Sequence, residues 1–170
     1  MGADILLLNM FDVEKPYIAG LPKVESCDVI NEVKRLTGRM IGINLEPVDD
    51  KIAEGNDDTI WAMSEGRKAT LDNAQKALDM GINIILLTGN PGNGVSNEAI
   101  INSLKVISEK LGHKLILAAG KMHASGVVTE GAENIITKED IKRFIESGAD
   151  IILLPAPGTV PGITMEYIRG

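Results

Sequence analysis

The stretch GINIILLTGNPGNG, residues 81–94, decides the fold. Four consecutive apolar residues, Ile84-Ile85-Leu86-Leu87, run directly into Thr88, Gly89, Asn90, Pro91, Gly92, Asn93 and Gly94. An apolar run without alternation suits a strand covered by helices on both faces, the usual state of a parallel sheet. A glycine-rich turn after such a strand lets backbone N–H groups approach an anion, with the positive end of the next helix behind it. The same pattern recurs as GADILLLNMFD (2–12) and GADIILLPAPG (148–158).

Working outward, a glycine precedes each apolar run: Gly2, Gly38, Gly81, Gly112 and Gly148, at spacings of 36, 43, 31 and 36 residues. That is the length of a strand, a helix and two loops. The runs are ILLL, MIGIN, IILL, LILAA and IILL. Helical periodicity lies between them. It places Val29, Ile30, Val33 and Leu36 on one face of 28–37, and Leu71, Ala74 and Leu78 on one face of 70–80 behind a Thr70 cap. Residues 96–111 turn Ala99, Ile100, Leu104, Ile107 and Leu111 inward behind Ser96. Residues 137–147 open with the capping box Thr137 to Asp140, before Ile141, Phe144 and Ile145. A further helix starts near Thr164. Gly38, Gly81, Gly112 and Gly148 then read as left-handed helix terminators. Residues 48–69, with the lone Trp61, read as an extended loop with a short helical turn.

The 170 residues suit one domain, 1–170, built of parallel strand–helix units. Five such units fit part of a TIM-type (βα)8 barrel, or a five-stranded doubly wound flavodoxin-like sheet. Two features favour the barrel. The chain begins in a strand and stops in a helix, as a piece of something longer would. Polar groups also recur at every strand end: Asn9 and Asp12, Asn44 and Glu46, Thr88 and Asn90, Lys121 and His123, and Thr159. A barrel brings all its carboxyl strand ends to one mouth, whereas an open sheet uses only those at its switch point.

The net charge of −7 argues against a nucleic-acid or anionic-membrane partner, and the basic residues are scattered among acids. No apolar run is long enough for a membrane span. The single cysteine, Cys27, excludes an intrachain disulfide and fits a reducing cytoplasm. It reads as a partly buried, inert thiol. Open sheet edges predict self-association.

Lys121 and His123, in AAGKMHASG, share one parity just past a strand. Lys121 suits holding a phosphate or carboxylate, or forming a Schiff base. His123, with an ordinary pKa of about 6.5, suits proton transfer. Glu46 suits a general base or a ligand to a divalent ion such as Mg²⁺. Asp12 is a further catalytic candidate, beside its alternative as a turn former. Asn9, Asn44, Thr88, Asn90, Gly92, Gly94, Gly158 and Thr159 are candidates for binding the substrate. His113 falls at the amino end of a strand, where a structural role is expected.

At these residues the chain resembles a known family. ADILLLNMFD, RLTGRMIGINLEPVD, LLTGNPGNGVSNEAIINS, AAGKMHASGV and GAENIITKEDIKRFIESGADIILLPAPGTVPGI are similar to an uncharacterised family of bacterial TIM-barrel proteins. Its members often carry the label "haloacid dehalogenase-like hydrolase" and are compared with phosphoenolpyruvate phosphonomutases. The resemblance implies a barrel, of which this chain is the central part. The label's chemistry needs a DxDx[TV] nucleophile loop, and neither Asp49-Asp50 nor Asp57-Asp58 supplies one. The expectation is therefore an enzyme of lyase, aldolase or mutase type, cleaving or moving carbon–carbon or carbon–phosphorus bonds in a small anionic, phosphorylated or 2-oxo acid metabolite. The alternative is a non-catalytic truncated barrel or a small-molecule-binding module.

Overall fold

The computed structural model describes residues 2–48, 63–89, 95–121, 136–158 and 164–169. Five strands, β1 (Ile5–Leu8), β2 (Met40–Leu45), β3 (Ile84–Leu87), β4 (Ile116–Gly120) and β5 (Ile151–Leu153), form one sheet in the order β1-β2-β3-β4-β5. Every neighbouring pair is parallel. Helices α1 (Val29–Thr37), α2 (Leu71–Asp79), α3 (Asn97–Leu111) and α4 (Lys138–Glu146) each lead into the next strand, and α5 (Met165–Arg169) follows β5. A flavodoxin-like sheet reverses its order around the first strand. These five strands run in chain order without a reversal, as consecutive strand–helix units do.

Sequential parallel strands joined by right-handed crossovers put every helix on the same face of the sheet. The packing shows this. One large core joins Ile41, Ile43, Leu45, Ile85, Leu87, Leu117 and Ala119 of the strands to Ile30, Ala74, Ile100, Leu104, Ile107 and Phe144 of the helices. Among the described residues the other face holds strand side chains: Ile84, Leu86 and Ala118, with Ile116 and Leu153 against them. The sequence predicts helices on both faces; among the described residues α1–α4 all pack on one. Ile84 and Leu86 are nevertheless buried, and this is why the run carries no alternation. Ile5 and Leu7 of the edge strand β1 and Ile151 of the edge strand β5 are exposed, as is Met40 at the start of β2.

The caps fall where the sequence put them. Thr70 accepts the Asn73 N–H, and Ser96 accepts the Ala99 N–H. Thr137 and Asp140 complete their reciprocal box. Removing the box by Thr137→Ala is expected to cost about 1 kcal/mol, seen as a loss of roughly 2–4 °C in Tm by circular dichroism.

Gly38, Gly81 and Gly148 are left-handed, with φ of 65°, 93° and 104°. Gly112 is not: its φ is −60°. The chain there keeps turning, with both Lys114 N–H and Leu115 N–H donating to the Leu111 carbonyl. Leu36 and Ile145, expected inward, are 52% and 56% exposed. At about 100° per residue, Leu36 lies some 120° round from the fully buried Ile30, and Ile145 some 100° from Phe144. Cys27 is exposed rather than partly buried, in the 3-10 turn Ser26–Asp28. Of the loop 48–69, the described part contains the expected short turn, Glu65–Arg67, and Trp61 lies outside the described residues.

Candidate functional site

Parallel register fixes which residues meet at the carboxyl end of the sheet. Leu45 aligns with Leu87, and Leu87 with Ala119. Glu46, Thr88 and Gly120 are therefore the next residues on three adjacent strands, with Lys121 one step further. All three side chains here are buried: Glu46 is 4% exposed, Thr88 6% and Lys121 1%.

Glu46 is held from two directions. The loop before α2 returns alongside β2, so that Glu46 N–H donates to the Arg67 carbonyl at 2.8 Å and Ala69 N–H donates to the Glu46 carbonyl at 2.9 Å. This brings the Arg67 guanidinium onto Glu46, with Nη2 donating to Oε1. Asn73 of α2 clamps the same loop, its Nδ2 donating to the carbonyls of Glu65 (2.7 Å) and Lys68 (2.9 Å). The other oxygen, Oε2, lies beside Gly89. A Cβ added there would stand 3.1 Å from Oε2 and 2.6 Å from Val95 Cγ2, so only glycine lets this turn approach the carboxylate. Arg67 Nε is buried without a hydrogen-bond partner.

Asn44 ties the first strand to the second, its Oδ1 accepting Met10 N–H at 2.9 Å. Met10 is left-handed, with φ of 61°. Asp12 lies beyond that turn. Its Oδ1 accepts the N–H groups of Glu14 (2.8 Å) and Lys15 (3.1 Å), and Val13 N–H donates to the Gly66 carbonyl. A Cβ on Gly66 would run into the Asp12 carboxyl group. Asp12 thus knits the loop after β1 to the loop carrying Arg67.

Burial raises the Asp12 pKa. The hydrogen bond from Ser64, those from the backbone of Glu14 and Lys15, and the Lys15 charge outweigh it and hold the carboxyl below its ordinary 3.8. A depressed folded-state pKa contributes stability that is present above the unfolded value and is lost as pH falls through the folded one. Urea midpoints of the wild type should therefore drop as pH is lowered from about 5 toward 2, and those of Asp12→Asn should drop less over this range.

The structure thus brings Asn44, Glu46, Thr88 and Lys121 to neighbouring positions at the ends of β2, β3 and β4. Asn9 and Gly158, at the ends of the edge strands β1 and β5, are exposed and are not drawn in. Asp12 is engaged in its turn. His123, Asn90, Gly92, Gly94 and Thr159 lie outside the described residues. His113 is exposed in the turn before β4, at the amino end. Sequence reasoning missed Arg67. No spacing signals it, since it reaches Glu46 only through the return of a loop more than twenty residues long.

Among the described residues no group of three His, Cys, Asp or Glu side chains could hold a metal ion. Glu46, the acid expected to serve Mg²⁺, already faces a guanidinium. The described donors do not fit a divalent ion, and no step is derived through one. Nor, among the described residues, is any helix long and apolar enough to cross a membrane.

Comparison with known families matches the whole chain, residues 1–170, to a domain of unknown function, DUF7916. A comparison with curated proteins finds no match.

Proposed function

We propose, for a chain that belongs to the DUF7916 family and takes no activity from that membership, that it binds a small anionic metabolite at the carboxyl ends of β2, β3 and β4. The observation that carries this reading is the burial of two charged side chains, Glu46 and Lys121, at that one end of the sheet, with the partly buried Arg67 paired to Glu46. Charged side chains are rarely buried unless they are paired. Both barrels and open α/β sheets bind ligands at this end.

In this reading Lys121 meets the carboxylate, phosphate or carbonyl oxygen of a phosphorylated or 2-oxo acid. Glu46, fixed through Oε1 by Arg67, serves proton transfer through Oε2, and the Gly89 turn closes over it. The reaction class is that of a lyase, aldolase or mutase. A lysine and a carboxylate at one end of the sheet suit proton transfer beside a carbonyl, which supports that class, and the missing aspartate loop speaks against a haloacid dehalogenase-type hydrolase.

A thermal-shift panel of phosphorylated and 2-oxo acids tests it. A ligand at one hundred times its Kd adds about 2.7 kcal/mol, so a true ligand should raise Tm by roughly 5–10 °C. Lys121→Met, compared with its own ligand-free curve, should lose that rise. A panel with no active member, or a rise that survives in Lys121→Met, would contradict the proposal.

A further inference from the structure

Two residues that introduce strands do the same job at the amino end of the sheet. Asn83, just before β3, accepts the Ile41 N–H of β2 at 3.2 Å through Oδ1, while its own N–H donates to the Ile41 carbonyl at 2.8 Å. Asp150, just before β5, accepts the Leu117 N–H of β4 at 2.9 Å through Oδ2, while its own N–H donates to the Leu117 carbonyl at 2.8 Å. Each closes the backbone groups of the strand that precedes it in the sheet, which would otherwise be unpaired at the sheet's end. Both stand in one local sequence, Gly-x-Asx-Ile: Gly81-Ile82-Asn83-Ile84 and Gly148-Ala149-Asp150-Ile151.

The third copy of that sequence is Gly2-Ala3-Asp4-Ile5, just before β1. Among the described strands none precedes β1 in the sheet. The Asp4 side chain is 93% exposed, with the Arg39 guanidinium 3.8 Å away. Asp4 therefore has the position and chemistry of a strand cap, and among the described strands there is none for it to cap.

We propose that the outer edge of β1 takes a further parallel strand, and that this strand is β5 of a second copy of this chain. Asp4 then accepts the N–H of Ile152 of the partner subunit. The fit is one of register and facing. Ile41 and Leu117, the capped residues, are each the second residue of their strand and point their side chains into the helix-side core. Ile152 is the second residue of β5 and packs against that same core. By strand alternation its N–H then points away from β4, toward the open edge, as those of Ile41 and Leu117 point toward the strand that follows. The pairing also covers apolar surface on the opposite face, where Ile5 is 45%, Leu7 40% and Ile151 40% exposed. An unprotected parallel edge with such side chains is a template for pairing.

Light scattering on the full chain over a range of concentrations tests this. The mass should rise above the 18.2 kDa of one chain. Asp4→Asn should leave association unchanged, because Asn83 makes the same bond. Asp4→Ala should weaken it roughly 2–10-fold, the worth of one net hydrogen bond. Ile5→Lys, a charge on an exposed edge position, should abolish it. All three substitutions are at exposed side chains, and circular dichroism of the monomeric fraction should match the wild type. A monomer at every concentration, or association that neither Asp4→Ala nor Ile5→Lys changes, would overturn the proposal.

Discussion

Gly120→Ala is expected to lose about 4 kcal/mol or more of stability, placing it in the small class of severe substitutions. Two constraints act together. Gly120 has φ of 155°, a conformation that side chains rarely adopt. An added Cβ would also fall on the carbonyl of Leu153, with the Leu153 carbon at 2.8 Å and nitrogen at 2.9 Å. These are backbone atoms of the paired strand, so no rotamer change relieves the clash. Either β4 and β5 part at Gly120↔Leu153, or the chain distorts just before Lys121. A loss of that size lowers Tm by roughly 10 °C or more in a domain of this length. Gly2→Ala, with nothing within 4 Å of the new Cβ, is the control and should stay within about 0.5 kcal/mol of the wild type. Equal melting temperatures for the two variants would mean that β4 and β5 do not approach as described.

Arg67→Met should cost about 3–5 kcal/mol in urea denaturation, because it leaves the buried Glu46 without its cation. Arg67 is 17% exposed and Glu46 5%, so removing the guanidinium leaves the carboxylate desolvated. Replacing both, as Glu46→Gln with Arg67→Met, should recover most of the loss, since the desolvated charge goes with the pair. A cost below about 1 kcal/mol for the single variant would mark an ordinary surface pair. The same substitution is expected to abolish the ligand-dependent rise in Tm, because Arg67 sets the direction of Glu46 Oε2.

Much of the architecture was legible because its causes are local. Thr70, Ser96 and Thr137 cap helices through hydrogen bonds that span three residues, and such spacings are visible in a sequence. The buried runs IILL (84–87) and LILAA (115–119) announce parallel strands for the same reason: each residue's neighbours along the chain report its burial. Leu36 and Ile145 misled because both are apolar and adjacent to the stripe, and only the direction of the sheet says which side of a helix is covered. Gly112 misled because glycine permits a left-handed terminator without requiring one, and the Leu111 carbonyl found two donors instead. One-sided helix packing could not be read from the runs, since Ile84 and Leu86 are as apolar as Ile85 and Leu87.

The candidate site was legible strand by strand and illegible across the long loop. Asn44 closes the run MIGIN, and Glu46, Thr88 and Lys121 lie just past the ends of their strands, so the rule that parallel strands expose their chemistry at the carboxyl end selected them. That rule also selected Asn9 and Gly158, because it cannot tell an edge strand from a central one. Asp12 answered to both of its readings in the sequence, and the hydrogen bonds to Glu14 and Lys15 place it among turn formers. Arg67 needed the bridge between Glu46 and Lys68, a contact of distant residues with no periodic trace.

Backbone amide NMR during titration with a panel ligand that raises Tm most directly tests whether the chain's chemistry sits at the carboxyl ends of its strands. Shifts are expected to cluster at Glu46, Arg67, Thr88, Gly89 and Lys121, and to vanish in Lys121→Met. Shifts confined to Asn83, His113 and Asp150 at the opposite end, or scattered along the outer faces of the helices, would contradict it.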